Sequence, residues 1–329
     1  RAQERLDRST TPTNRREQMM PTCEVYIVGS YGVAFWIVGD VPAPGETLLG
    51  SGFAFGNGGK GSNQAIGAAR LGARCKLLAG VGADKFGDEA LQLWRAEGVD
   101  CSTVRQMAET PTMAGIIILD ASGENRIITD PGANARLTAI DVETFAVTWT
   151  SPGILLTQLE IPVETAARAL AIGKARGLTT ILNPAPGRAL PKEIFADVDI
   201  LTPNQSEARI LLGLDVDDRH ADADLAARLR GLGVGHVVMT LGPDGALIAG
   251  PEGLTKIASY PVDVVDTTGA GDAFNGALAA GLASGLTLAD AVRRGTAAGA
   301  LAVTKKLVVP GLPDERQISQ LMKDRTACA

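Results

Sequence analysis

Asp266-Thr267-Thr268-Gly269-Ala270-Gly271-Asp272-Ala273-Phe274-Asn275-Gly276 sets a carboxylate directly behind a turn of small residues and at the mouth of an apolar stretch. Gly269, Ala270 and Gly271 let the backbone turn so that several N–H groups point outward. The segment Ala273 to Ala283, rich in Ala, Leu and Gly, predicts a buried helix. The first turn of a helix carries N–H groups with no intrahelical acceptor, and so it attracts anions. An Asp at this position is most often an N-cap, but a cap does not need glycine on both sides of Ala270. Phosphoryl transfer does ask for such a pairing, an electrostatic cradle beside a base for the attacking hydroxyl.

Working outward, short apolar runs alternate with helical patterns from Val25 onward. Strands are predicted at 25–28, 77–81, 154–159, 179–182, 200–202, 236–240 and 246–248. Helices are predicted at 62–71, 87–97, 163–176, 205–212, 223–232, 272–283, 288–303 and 315–323. Nearly continuous apolar strands alternating with helices specify an α/β fold, a mostly parallel sheet covered on both faces, with ligands at the carboxyl ends of the strands. Two stretches break the alternation: 35–38 with 47–55, and 113–119 with 126–129, read as paired strands without an intervening helix. The second pair is joined by the turn-rich segment Asp120-Ala-Ser-Gly-Glu-Asn125. Together they predict a small β-sheet lid, built from about 33–55 and 113–130, over the α/β core.

Composition narrows the function. A net charge of −6 over 329 residues argues against nucleic acid or an anionic membrane as the main partner. Only 4% of residues are aromatic, which disfavours a base-stacking surface. Cys23, Cys75, Cys101 and Cys328 lie far apart with no C-x-x-C pattern, and His220 and His236 lack partners for a triad or metal. A reducing, cytoplasmic setting fits, and no apolar run is long enough to span a membrane. Residues 1–20 are polar and lack an apolar segment of signal type. They are read as a disordered extension ahead of one domain over 21–325.

A second glycine cluster, Gly56-Asn-Gly-Gly-Lys60-Gly-Ser-Asn63-Gln-Ala65, precedes an Ala-rich helix. Gly56, Gly58 and Gly61 satisfy G-x-G-x-x-G, the pattern of a dinucleotide turn. Against that reading, they follow an expected lid strand and include a lysine. The P-loop pattern fails because Ala54 and Gly61 stand where glycine and Ser/Thr are required. A third reading has Gly58 and Gly59 admit a polyhydroxy ligand close to the backbone while Lys60 and Asn63 bond its hydroxyls.

With both clusters in this order, the chain from about Val25 to about Leu321 resembles the ribokinase-type sugar kinases of the PfkB carbohydrate kinase superfamily. Gly58 to Ala65 is similar to the family's N-terminal signature and Asp266 to Gly276 to its C-terminal one. Pro131-Gly-Ala-Asn-Ala135, Gln158-Leu-Glu160, Leu182-Asn-Pro-Ala-Pro186, Thr202-Pro-Asn-Gln-Ser-Glu207 and Thr240-Leu-Gly-Pro-Asp-Gly245 are similar to the ribokinase group more narrowly. The resemblance implies a ribokinase-like fold, ATP with Mg²⁺, and a pentose, ribose first, phosphorylated on its primary hydroxyl. It also implies a homodimer paired through the lid strands.

Residue by residue, the resemblance implies that Asp272 is the general base and that the backbone of Gly269, Ala270, Gly271 and Asp272 forms the anion hole. Gly59, Lys60, Gly61, Ser62, Asn63 and Glu160 match sugar-binding positions. Asn204, the turn Thr240, Leu241, Gly242, Pro243, Asp244 and Gly245, together with Gly271 and Thr296, match the nucleotide site. Glu207 matches the position that organises Mg²⁺ through water. Asp266, Thr268, Ala302, Lys305, Leu307 and Gly311 match a monovalent-cation site, for K⁺.

The chain departs from the family in three places. The family's Asn-x-Asp after the first strand is absent from Gly29-Ser-Tyr-Gly-Val-Ala-Phe-Trp36; Leu307-Val308 replace a usual Gly-Ala; and Thr296 replaces an adenine-side Asn. The phosphate-transfer signature is intact and the sugar-recognition half is altered. Three alternatives therefore stay open: a kinase for another sugar or a nucleoside, a sugar- or nucleotide-binding protein without turnover, and an oxidoreductase suggested by the Gly56/Gly58/Gly61 pattern.

Overall fold

Strand β1 (Glu24–Val28) shows why the chain builds a doubly covered sheet. Val25 and Ile27 are fully buried in one core and Tyr26 and Val28 in the other, as period-2 alternation of apolar residues on both faces requires. The structure, a computed structural model, describes residues 23–120 and 125–327. The expected extension over residues 1–20, Cys328 and most of the 120–125 turn lie outside the described residues.

In chain order the next strands are β2 (Gly32–Val38), β3 (Ser51–Gly58), β4 (Arg74–Leu78), β5 (Gly80–Gly82), β6 (Arg105–Met107), β7 (Met113–Leu119) and β8 (Asn125–Asp130). Strands β9 (Gly153–Thr157), β10 (Thr179–Leu182), β11 (Ile200–Leu201), β12 (His236–Thr240), β13 (Ala246–Gly250) and β14 (Gly253–Ile257) complete the set. Eight of them form the main sheet in the order β14-β13-β12-β11-β10-β9-β1-β4. It is parallel from β4 to β12 and antiparallel across β13 and β14.

Helices α1 (Lys60–Arg70), α7 (Ala270–Ala283) and α8 (Leu288–Ala302) cover one face of this sheet, sharing a core with Val25, Ile154 and Val238. Helices α3 (Ala139–Ala146), α4 (Val163–Ala175) and α6 (Asp222–Arg230) cover the other, around Tyr26, Leu155 and Val237. The remaining helices are α2 (Lys85–Ala96), α5 (Gln205–Leu211), the short α9 (Val308–Gly311) and α10 (Glu315–Ala327).

Helices α1 and α7 meet backbone to backbone at Gly276. A Cβ on this residue of α7 would stand 2.8 Å from the Gln64 carbonyl oxygen and 3.0 Å from the Ala68 nitrogen of α1. Only hydrogen at that position lets the two backbones approach so closely, bringing the first turns of α1 and α7 face to face.

The two expected hairpins form a separate four-stranded sheet, β3-β2-β7-β8, in which β2 and β7 pair in parallel and the outer pairs are antiparallel. Phe35 and Phe55 on one face pack against Phe86 of α2, with ring centroids 5.8 and 5.9 Å apart. Farther out on that face Phe53, Ile116 and Ile128 are exposed, at 69%, 50% and 73%.

Three differences from the sequence expectations have local causes. The strand predicted over 77–81 divides into β4 and β5, because β5 leaves the main sheet to pair with β6. Residues 47–50 carry no strand, and β3 instead runs on to Gly58. The sequence pattern also gave no sign of α3, capped by a Thr138–Asp141 box, or of β14, a largely exposed edge strand. Gly56 and Gly58 sit within β3 of the small sheet, and the helix starts only at Lys60. The dinucleotide pattern is therefore not in its required place between a core strand and a helix.

Candidate active site

Helix α7 opens without any side-chain cap. Its N-cap Gly269 has φ 84°, ψ −2°, a left-handed conformation that costs glycine little and other residues about 1–2 kcal/mol. The Ala270 N–H bonds back to the Thr267 carbonyl at 3.4 Å and the Ala273 N–H to the Gly269 carbonyl at 2.9 Å, which leaves the Gly271 and Asp272 N–H groups between them open. Gly271 is exposed, and a Cβ there would meet nothing within 4 Å. Its glycine is thus not required by packing.

Asp272, one residue on, is only 6% exposed. Its two carboxylate oxygens each accept an amide from α1: Asn63 Nδ2 donates to Oδ2 at 2.8 Å and Gln64 Nε2 to Oδ1 at 2.9 Å. A buried carboxylate held on both oxygens is fixed in plane beside the open N–H groups. Asn63 Oδ1 is buried with no hydrogen-bond partner among the described residues, an acceptor suited to a ligand hydroxyl.

The Lys60 ammonium lies among three carboxylates. Burial works against its charge, but Asp272, then Glu160 and Glu207, outweigh it and raise its pKa above the ordinary lysine value. Glu160 is anchored by one oxygen, which accepts the Ser30 hydroxyl at 2.5 Å and the Lys60 N–H at 2.8 Å. Glu207 forms a reciprocal capping box with Asn204 at the start of α5. Burial chiefly raises its pKa; the Asn204 N–H and Lys60 oppose this, and Asp272 adds to it.

Beside α7 opens a cavity of about 540 Å³. Thr240, Gly242, Pro243 and Gly245 line one side, Ala270 and Gly271 its end, and Thr296 another wall with Phe274 and Val303. It joins the N-terminus of α7 to the turn after β12, the carboxyl end of a sheet strand, where ligands of such folds bind. Thr296 already donates its hydroxyl to the Arg293 carbonyl at 2.8 Å.

Most of the residues singled out in the sequence converge here, and some do not. Lys60, Asn63, Glu160, Glu207 and Asp272 are linked by the contacts above, Gly59 joins them by accepting the Asn63 N–H at 2.9 Å, and Gly61 lies beside Ser30. Ser62 turns away: it is fully buried and its hydroxyl accepts from the Trp94 indole at 2.8 Å. Leu241 and Asp244 shape the turn, with Leu241 N–H bonded to Gly245 O and Asp244 N–H to Leu241 O, but do not line the cavity. Asn204 pairs with Thr240 by a β-bridge and is likewise outside the cavity lining.

The residues matched to a monovalent cation lie in two neighbouring segments. Val265 and Asp266 N–H both bond to the Val303 carbonyl, at 2.7 and 3.1 Å, which ties the Asp266–Thr268 turn to the loop after α8. Asp266 Oδ1 accepts the Thr268 N–H. Ala302 ends α8, Lys305 lies in the loop that follows, Leu307 caps α9 and Gly311 ends it. Leu307 holds φ 66°, the one positive value for a non-glycine among the described residues. The loop thus keeps a conformation suited to glycine, and the half-buried Leu307 side chain comes to within 3.5 Å of where a Cβ on Gly56 would stand.

The sequence motifs assigned no role to Gln64, Gln158, Asn183, Thr202 or Asn275, all fully or nearly buried. Gln64 Nε2 also donates to Asn183 Oδ1 (3.0 Å), and Gln158 Nε2 donates to Gln64 Oε1 (2.6 Å). Asn183 Nδ2 donates to the Thr202 carbonyl (3.1 Å), Thr202 Oγ1 to Asn275 Oδ1 (2.7 Å), and Asn275 Nδ2 to Gly271 O (2.8 Å). A signal was available: Gln158, Asn183 and Thr202 each follow the last residue of an apolar parallel strand, where a polar side chain points at the ligand edge of the sheet.

A sequence profile described as pfkB family carbohydrate kinase matches residues 25–315. The chain is similar to a ribokinase of Haemophilus influenzae, 34% identical over 280 residues covering 85% of this chain and 92% of the relative. It is also similar to a ribokinase of Staphylococcus aureus, 36% identical over 304 residues, 91% of this chain and 100% of the relative. Among solved structures, the Arabidopsis thaliana ribokinase complexed with ribose and ATP superposes with a TM-score of 0.85 at 28% identity, covering 92% of this chain and 99% of that one.

Proposed function

The chain belongs to the pfkB family of carbohydrate kinases, and we propose that within it the protein transfers the γ-phosphoryl group of ATP to the primary hydroxyl of a pentose, D-ribose first. The observation that carries this reading is the buried Asp272 carboxylate, fixed by Asn63 and Gln64 directly beside the uncapped N-terminus of α7.

In this reading the acceptor oxygen attacks the γ-phosphorus while Asp272 takes its proton. The new O–P bond forms as the bond to the β,γ-bridging oxygen breaks, and ADP leaves with that electron pair. The N–H groups of α7's first turn and the Lys60 ammonium stand where charge accumulates on the transferred group, the term that typically contributes most. Asn63 Oδ1 and the Glu160 carboxylate accept hydroxyl hydrogens of the sugar. The 540 Å³ cavity takes the nucleoside.

Two ions complete the proposal. Among the described residues no group of three His, Cys, Asp or Glu side chains could hold a metal. Glu207, with one oxygen in its capping box, would hold a water-bearing Mg²⁺, which when bound would supply positive charge to offset that of the nucleotide phosphates. A K⁺ would draw on the Asp266 carboxylate and on backbone carbonyls among Thr268, Ala302, Lys305, Leu307 and Gly311, a reading supported by the hydrogen bonds that tie the 265–266 segment to Val303. A cytoplasmic setting, where ATP is made available, accords with the free thiols of Cys23, Cys75 and Cys101.

We further propose that two copies pair through the exposed apolar face around Phe53, Ile116 and Ile128, since monomers rarely leave such a face to water. Sedimentation of the chain and of Phe53→Asp reads this directly; a monomeric parent chain would refute it.

The deciding assay is ADP release from MgATP against ribose, 2-deoxyribose, other pentoses, hexoses and nucleosides. Ribose-dependent turnover is expected. Turnover only with another acceptor would make the segment over residues 31–34, where the family's Asn-x-Asp is missing, the specificity switch. No turnover with any acceptor would overturn the reading.

A further inference from the structure

The orientation of the Gln64 amide is dictated from both ends of the hydrogen-bond chain. Asn183 must present its nitrogen to the Thr202 carbonyl, so its oxygen faces Gln64. Asp272 offers only oxygens. Gln64 therefore turns its NH₂ to both acceptors and its carbonyl to the Gln158 amide. A flipped Gln64 would set oxygen against two oxygens and NH₂ against NH₂. The chain has one arrangement, and every member is at most 5% exposed apart from Asp272.

We propose that Gln64 is the positioning residue of the Asp272 carboxylate, locking its plane relative to the anion-binding turn; this rests on the reading of Asp272 as the base. Gln64 is fully buried and takes no part in the cavity, so it reaches the site only through other side chains, with Asp272 the one catalytic group it touches. Asn63, the other donor to the carboxylate, keeps an unpartnered oxygen for the acceptor, so the two amides divide the work: one meets the ligand, the other holds the base. The same chain reaches the anion-binding turn from the other side, through Thr202, Asn275 and the Gly271 carbonyl. Base and turn are thereby referenced to a single set of strand ends, β9, β10 and β11, and not merely to each other.

The test is a double-mutant cycle between Gln64→Met, which keeps length and removes the donor, and Asp272→Asn, measured under single-turnover and steady-state conditions. Gln64→Met alone is expected to lower kcat about 10-fold to 100-fold, with KM for sugar and ATP changed less than about 2-fold. In the Asp272→Asn background the same change should cost less than about 2-fold, because the residue it orients no longer acts as a base.

An equal loss in both backgrounds would overturn the proposal, as would a change confined to KM. Asp272→Asn retaining near-parental kcat would instead sink the reading of Asp272 as the base, so the two failures are distinguishable. Should Gln64→Met not fold, Gln158→Met replaces it in the cycle. It frees the Gln64 carbonyl and should lower kcat severalfold in the parent and not in the Asp272→Asn chain; additivity there overturns the proposal equally.

Discussion

Replacing Gly276 by alanine puts one methyl group where α1 and α7 cross, and the consequences can be worked from the spacing. The new Cβ would lie 2.8 Å from the Gln64 carbonyl oxygen, 3.0 Å from the Ala68 nitrogen and 3.2 Å from the Gly67 carbonyl carbon. All three are backbone atoms of a helix and cannot turn aside. Restoring ordinary contact requires the helices to separate by roughly 0.6 Å at that point, a shift of the kind overpacking imposes at about 1–3 kcal/mol. The helix propensity of alanine over glycine returns up to about 1 kcal/mol, so the net loss of stability is on the order of 1 kcal/mol.

The functional effect should be larger than the thermal one. Asn63 and Gln64 ride on α1 and reach Asp272 on α7 at 2.8 and 2.9 Å. The same displacement takes both bonds close to the outer limit of useful length, about 3.5 Å. Misplacement on this scale is expected to lower kcat about 10-fold or more. Thermal unfolding and steady-state kinetics on the same preparation give both numbers. A variant with reduced Tm and unchanged kcat would refute the claim that α1–α7 spacing sets the geometry of the carboxylate.

Gly271→Ala should leave stability unchanged or slightly raised, since the methyl meets no atom within 4 Å, while activity falls steeply because it projects where the anion binds; a fully active variant in the ADP assay would remove Gly271 from the site. Asp272→Asn is expected to lower kcat by about 10²–10⁴, and more than a tenth of parental turnover would rule out a general-base role. Asp84→Ala should cost about 0.5–2 kcal/mol, because Asp84 caps α2 and also accepts the Thr112 N–H and hydroxyl ahead of β7. Burial alone would raise the Asp84 pKa, but bonds from the Thr112, Gly87 and Phe86 N–H groups and the Thr112 hydroxyl lower it. Its contribution is therefore complete above about pH 4, the ordinary Asp range, and lost as the pH falls through the lower folded value; a parent-minus-variant difference that instead grew on acidification would contradict this. Turnover should rise severalfold in KCl over an organic-cation chloride of equal ionic strength, and no difference would remove Asp266 and the 302–311 loop from any cation role.

The sequence alone determined the fold class and the two clusters that make the centre. Apolar strands alternating with helices encode a covered parallel sheet, because backbone period and burial are local properties of a segment. Gly269 to Asp272 declared an anion turn with a carboxylate, since glycine content and helix start are also local. Tertiary structure decided which residues meet. Ser62 and Asn63 are neighbours in the chain, yet Ser62 binds Trp94 and only Asn63 reaches Asp272, because successive residues on a helix point in different directions. Gln64, Asn183 and Thr202 became one hydrogen-bond chain only when α1 packed on α7 across the ends of β9, β10 and β11. Those pairings join residues separated by up to 209 positions, and long-range register is set by packing of whole faces, which no short window of sequence contains.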